Sequence, residues 1–237
     1  MIKMVVSSFY NTLINQEDAI PTSTMLEIER IRQKKILFTI CTNRQYQEVL
    51  DYNKDFPFVD YIISLNGSLV YDVEKAKIIY QKKLTKTIIN KIIKFLPDLK
   101  YIYYSENEKY SSKEETEDKN IYKIELEISD NEEFVRDKLK NLPINITLFE
   151  LNEKKYIEIT SDQASMFSGV DKISLKKELD LANIITISGN ESDISLSQNI
   201  KRNFVVKNAS KKLKKYAYKI VKSNLENGVE TVLSKIK

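Results

Sequence analysis

The chain predicts an α/β fold with a parallel sheet, interrupted by an inserted α+β unit. Short apolar runs that end in polar residues alternate with helical periodicities in residues 1–81 and again in 164–237. Residues 82–163 instead read as paired strands between helices. Strands that alternate with helices favour a parallel sheet with right-handed crossovers, whereas paired strands favour antiparallel hairpins. With 237 residues, 42% of them hydrophobic, the chain can bury a substantial core.

"IKMVV" is a buried strand, and "VVSSFYNTLI" (5–14) carries it into a tight polar loop. "PTSTMLEIERIRQKK" has start signals in Pro21 and Ser23, and Met25, Ile28 and Ile31 recur at near-helical spacing. "ILFTIC" (36–41) is a second strand ending in Thr42, Asn43 and Arg44. A short helix over 45–50 and a third strand, "YIISLNG" (61–67), follow. In such sheets, ligand sites form at the carboxyl ends of the strands, where Ser8, Thr42 and Asn66 fall. The middle unit reads as a helix over 85–95, strands over 100–105 and 121–127, a helix over 131–141, and strands over 145–151 and 155–160. The charged stretch 105–120 reads as a long hairpin loop. "ISLKKELDL" is helical, and strands over 183–189 and 203–208 follow. "KKLKKYAYKIVK" (211–222) predicts a helix that buries Leu213, Tyr216, Ala217 and Ile220 and solvates its lysines.

Composition excludes several kinds of chemistry. No histidine occurs, so a histidine base, a His-ligated zinc and a Ser-His-Asp triad are ruled out. A net charge of +4 gives no indication of a nucleic acid or membrane partner. The single cysteine, Cys41, excludes an internal disulfide and reads as a small buried hydrophobe; its solitude fits a reducing cytoplasm. The start has no signal-peptide h-region, and no apolar run reaches the ~18–20 residues of a membrane span. A cytoplasmic location is therefore expected.

The loop after the first strand resembles the first motif of the haloacid dehalogenase (HAD) phosphatases, DxDGT. Ser8 and Tyr10 stand where that motif has aspartates, and Asn11 where it has glycine. Thr42, Asn43 and Arg44 resemble the second motif, often TGR, and Asn66–Gly67 of "LNG" resemble a substrate loop of the Cof-type (IIB) branch. "SGVDKISL" places Lys172 at the lysine of the third motif, GVSKG. "SGNESD" aligns with the fourth, GDxxND, putting Gly189 at its first aspartate and Asp193 at its last, with Asn190 and Ser192 between. "VVKNAS" and "KSNLENGV" resemble two further signatures, including Asn208 and Gly228. The resemblance implies a Rossmann-like core (1–81 and 164–237) with an inserted cap (82–163).

In that family the first aspartate is the nucleophile, the second the general acid/base, and Mg²⁺ is held by first- and fourth-motif carboxylates. Ser8, Tyr10 and Gly189 carry none of these groups. The expectation is a non-catalytic, phosphatase-like protein without a resident metal, acting as a ligand-binding or protein-interaction module. The alternative is a weak or altered phosphatase acting on small phosphoesters such as sugar phosphates. Thr42, Lys172 and the loop amides would leave half an anion site for a small phosphorylated ligand. In a rival arrangement, Thr42 caps the next helix and Lys172 pairs with Asp193.

Overall fold

The computed structural model describes residues 1–237 apart from 16, 55, 112–113, 117, 129–130 and 152–153. The strands and helices of the first part are β1 (Met4–Ser8), α1 (Thr22–Gln33), β2 (Leu37–Cys41), α2 (Tyr46–Asn53), β3 (Tyr61–Ser64), β4 (Leu69–Asp72) and β5 (Lys77–Gln81). The middle part holds α3 (Lys86–Phe95), β6 (Tyr101–Tyr104), β7 (Lys109–Tyr110), β8 (Lys123–Ile128), α4 (Glu132–Leu139), β9 (Ile144–Leu151) and β10 (Lys154–Ser161). The last part adds α5 (Met166–Lys176), β11 (Ile184–Ser188), α6 (Ile194–Asn199), β12 (Asn203–Val206), α7 (Lys211–Lys214), β13 (Lys219–Val221) and α8 (Gly228–Leu233). Two sheets result. One has eight strands in the order β13-β12-β11-β1-β2-β3-β4-β5, and the other has five in the order β7-β6-β8-β10-β9.

β1 lies inside the large sheet and pairs in parallel with both β2 and β11. That placement explains why all five of its residues are buried. Ile28 and Ile31 of α1, Val49 of α2 and Val232 of α8 cover one face, while Val170 and Ile173 of α5 and Leu196 of α6 cover the other. The five-stranded sheet is antiparallel, and Ile92 of α3 and Val135 and Leu139 of α4 pack on one of its faces. Among the described residues, no helix is long and apolar enough to cross a membrane.

Three sequence expectations are corrected. The helix over 211–222 stops at Lys214, and Lys219–Val221 becomes an edge strand in parallel register with β12. Leu213 is buried, but Tyr216 and Ile220 are 42% and 50% exposed. Four apolar positions over so short a stretch cannot separate a helix stripe from a turn followed by the strand formers Ile220 and Val221. The strand over 61–67 ends at Ser64, because Leu65, Asn66 and Gly67 all turn to positive φ (49°, 56° and 88°). The chain then doubles back as the β4–β5 hairpin, which the sequence reading left unassigned. The helix begun at Ile173 starts at Met166 instead, capped by Ser165, whose side chain accepts from Ser168 N–H. In the loop read over 105–120, Lys109–Tyr110 pairs with β6, while positions 112, 113 and 117 lie outside the described residues.

Candidate functional site at the strand ends

The register of β1 and β2 sets Ser8 beside Cys41, and the turn after β11 brings Asp193 to the same point. Ser8 Oγ donates to Asp193 Oδ2 at 2.5 Å. The same oxygen accepts from Gly189 N–H at 3.0 Å and Asn190 N–H at 2.9 Å. Cys41 Sγ lies 3.5 Å from Ser8 Oγ and 3.9 Å from Asp193 Oδ1. All three side chains are about 1% exposed. Burial pushes the Asp193 carboxyl above its ordinary value of 3.8, opposed by the hydrogen bonds from Ser8, Asn190 and Gly189. Burial, and then the Asp193 charge, push the Cys41 thiol up, so it stays protonated and is no nucleophile.

Asn11 has φ 59°, a left-handed conformation that suits glycine and that asparagine tolerates. The turn is held from outside. Asn190 Nδ2 donates to Tyr10 O at 2.9 Å, Asn11 Nδ2 to Asn190 Oδ1 at 3.1 Å, and Asn208 Nδ2 to Asn11 O at 2.9 Å. Asn190 and Asn208 thus brace the loop. Tyr10 turns its hydroxyl to Glu48 of α2 at 3.0 Å, with the Arg44 guanidinium 4.0 Å from its ring centroid. Arg44 also pairs with Glu48 at 3.2 Å, so its charge is compensated. Burial raises the Tyr10 phenol further, which removes it as a base.

Thr42 is buried, and its hydroxyl accepts from Arg44 N–H at 3.1 Å, closing a turn rather than capping α2. Asn43 and Asn66 point to the inserted unit. Asn43 Nδ2 donates to Glu158 Oε1 at 3.0 Å, and Asn66 Nδ2 donates to Glu158 Oε2 at 2.9 Å. Lys123 Nζ donates to Glu158 Oε1 at 2.5 Å and to Asn43 O at 2.9 Å. The Lys123 and Glu158 side chains are each 1% exposed. This buried pair fastens the second sheet to the two loops of the first. Beside it, a cleft of about 510 Å³ opens between the two units, lined by Tyr10, Arg44, Tyr104, Lys109, Phe149 and Asn190 among others.

Lys172 does not join the site. It is exposed on α5, its Nζ 5.9 Å from the Tyr80 ring centroid, and Asp193 has no lysine partner among the described residues. The residue that α5 presents at its start is Met166, buried in one cluster with Met4, Val6 and Cys41. The side chain that the start of α5 turns toward the strand ends is thus that of Met166, six residues before Lys172. The serine before a helix start was the usable signal, since Ser165 forms a capping box there. Gly67 follows from the same packing: a Cβ on it would lie 1.9 Å from Ser165 O. Sequence reasoning also missed Glu48, Lys123 and Glu158, each of which has a partner distant in the chain: Tyr10 for Glu48, and Lys123 and Glu158 for each other.

Gly189 is equally constrained. A Cβ there would lie 2.2 Å from Thr12 Oγ1 and 3.0 Å from Asn11 O. Gly189→Ala is therefore expected to destabilise by about 1–3 kcal/mol, and Gly189→Asp by at least as much. Urea unfolding checks this. Full-strength folding of both variants would mean that Thr12 swings aside.

The residues present do not fit Mg²⁺. That ion takes oxygen ligands in near-octahedral geometry, usually including one or two carboxylates. Here one carboxylate reaches the centre, and three donors already engage its Oδ2. Among the described residues, no group of three His, Cys, Asp or Glu side chains could hold a metal ion.

The sequence model of the haloacid dehalogenase-like hydrolases matches residues 9–131 and 100–233. A protein of Buchnera aphidicola (subsp. Baizongia pistaciae) whose name assigns it provisionally to the phosphatases is 30% identical over 116 residues. That stretch covers 47% of this chain and 43% of the relative's length. In fold, the chain is similar to a haloacid dehalogenase-like hydrolase from B. subtilis, with a TM-score of 0.89, 14% identity and both chains fully covered. It is also similar to a HAD subclass IIB sugar phosphatase, with a TM-score of 0.83, 18% identity and 98% of each chain covered. The strand order, the loops at the strand ends and the match along most of the sequence agree: this chain belongs to the haloacid dehalogenase-like hydrolase family, on its Cof-type branch.

Proposed function

We propose that the chain is a pseudophosphatase of this family, a ligand-binding or protein-interaction module without Mg²⁺-dependent phosphoryl transfer. The observation that carries this reading is the saturation of Asp193 Oδ2 by Ser8 Oγ, Gly189 N–H and Asn190 N–H. The acid that remains is spent on the protein's own donors, and it is fully buried beneath them. Its Oδ2 is held by those donors and its Oδ1 lies buried beside Cys41 Sγ, so neither oxygen reaches a phosphoryl group or a metal without rearrangement of the centre. Lys172, which matches the family's lysine by its letters, lies away from the centre, and the start of α5 turns the uncharged Met166 toward it. Removing a hydrolase's nucleophile alone costs about 10⁶ in kcat.

The anion reading loses support on the same grounds. Two backbone amides at the site already serve Asp193, Lys172 is elsewhere, and an ionised Asp193 repels phosphate. Ligand binding remains supported by the cleft between the two units, which is large enough for a small molecule. Hydrolysis of p-nitrophenyl phosphate and of a hexose phosphate is expected at background in millimolar Mg²⁺ and in chelator alike. Metal-dependent turnover that Asp193→Asn abolishes would overturn the proposal and restore the hydrolase reading.

A further inference from the structure

The segment from Ile194 to Leu225 holds nine of the chain's 38 Lys and Arg residues and none of its 34 Asp and Glu. The net charge of +4 conceals this asymmetry, because the rest of the chain is net acidic. The segment forms α6, β12, α7 and β13, and so the outer margin of the large sheet. Eight of its nine cations are exposed, and Lys214 is half-buried. Among the described residues one ion pair engages them, Lys212 with Glu191 at 3.1 Å. A further carboxylate, Glu226, accepts from Ser223 Oγ at 2.6 Å and lies within the influence of Lys207 and Lys222. The strand register sets like charges side by side. Val206 of β12 lies against Val221 of β13, so Lys207 and Lys222 leave the sheet together. At the other end, Tyr218 N–H donates to Asn203 O, which brings Arg202 near Tyr218 and Lys219. Like charges on neighbouring strands repel, and an anionic ligand relieves that repulsion. The residues expected to be buried on a helix stripe are on the surface here: Tyr216, Tyr218 and Ile220 are 42%, 63% and 50% exposed. Tyr218 stands perpendicular to Phe204, with ring centroids 5.8 Å apart, which braces an exposed ring.

We propose that this margin binds single-stranded nucleic acid, with phosphates on the lysines and bases stacked on Tyr216 and Tyr218. Uncompensated cations track a phosphate backbone, and every unpaired base offers a π-face to an exposed aromatic ring. Other occupants fit less well. A duplex hides its base faces, and α7, a helix of four residues, is too short to lie in a groove. A membrane surface is bound by a helix that turns an apolar face outward, whereas Leu213 of α7 is buried. A second copy pairing edge to edge would set Lys219 and Lys222 against the same lysines, the usual guard on an open strand. The inference goes beyond the proposed function and does not rest on the loss of phosphoryl transfer.

The test is fluorescence anisotropy of the full chain with labelled oligouridylate and oligodeoxythymidylate of about 12 nucleotides, a length typical of single-strand sites. Saturable binding to at least one is expected, and a preference between the two tells RNA from DNA. Affinity should fall about tenfold or more between about 50 and 200 mM salt, as phosphate contacts release counterions. Lys219→Glu with Lys222→Glu should weaken binding about tenfold, and Tyr216→Ala with Tyr218→Ala about fivefold. All four positions are exposed, so both variants should keep the native melting temperature. Lys91→Glu with Lys94→Glu, exposed on α3, makes the same change in net charge and should leave binding intact. The proposal is overturned if neither strand binds saturably at the lower salt, or if the α3 variant loses as much as the β13 variant. It is equally overturned if the tyrosine variant binds as before. Binding as tight to a duplex of the same length, to polyglutamate or to phosphatidylserine vesicles would also overturn it. None of these readouts involves turnover, so they stand or fall apart from the phosphatase assay.

Discussion

Glu158→Gln is expected to cost about 3–5 kcal/mol of folding stability, the loss found when one partner of a buried ion pair is removed. Lys123 would then keep its charge at 1% exposure, near Asn43 O, the new amide, the Tyr104 ring and the more distant Glu125 carboxylate. One oxygen that accepts from Asn43 or Asn66 would become an amide donor facing another donor. Lys123→Met in the Glu158→Gln background should recover much of the loss, because it removes the stranded charge. Urea unfolding of the two single variants and the double variant closes the cycle. A single-variant loss below about 1 kcal/mol, the range of exposed pairs, would show that the junction opens to water.

The second large effect is expected at Ser8. Ser8→Asp returns the carboxylate that the family resemblance implies, but sets it against Asp193 at a position now spanned by a 2.5 Å hydrogen bond. Among the described residues, no cation stands by to separate the two charges. A loss of about 3 kcal/mol or more is expected at neutral pH, the scale of an uncompensated buried charge. Ser8→Asn is the control, since it adds nearly the same volume without charge and isolates the packing cost. The sign with pH follows from proton linkage. Asp193 already titrates above its ordinary value of 3.8, so its contribution is complete below that value and is lost as pH rises through the raised one. A second acid beside it extends the same trend. The gap between Ser8→Asp and Ser8→Asn should therefore be widest at neutral pH and close on acidification. A gap that does not change with pH would refute the electrostatic account. If millimolar Mg²⁺ removed the gap, the centre would be a metal site after all, against the proposed function.

Much of the architecture was legible in the sequence because it rests on local patterns. The buried runs at Met4–Ser8, Leu37–Cys41 and Ile184–Ser188 and the strand pairs of the middle unit fall close to where the patterns place them. Ser8, Tyr10 and Gly189 could be singled out because each stands at a strand end in a recognisable loop. Legibility failed where distant contacts decide. Residues 219–221 are a strand because β12 offers an open edge, which no short window reveals. Lys172 matched by letters, yet the helix start at Ser165 fixes which side chain faces the centre. The Lys123–Glu158 pair was invisible for a related reason. Charges in strands ordinarily read as solvent-facing, and only the packing of two units turns these inward.

The pairing of β1 has a consequence for how the chain comes to be folded. Met4 lies against Leu37 on one side and Ile184 on the other. The first partner is made almost at once, and the second is 180 residues further along the chain. At ribosomal rates of about 5–20 residues per second, one edge of this apolar strand waits roughly 10–40 s for its neighbour. The antiparallel unit, with its own apolar cluster, ends at Ser161, still ahead of β11, and so emerges beside an unfinished sheet. A bare edge of that kind is a template for unwanted pairing. The edge of β1 that faces β11 is thus open to unwanted pairing during synthesis until β11 emerges.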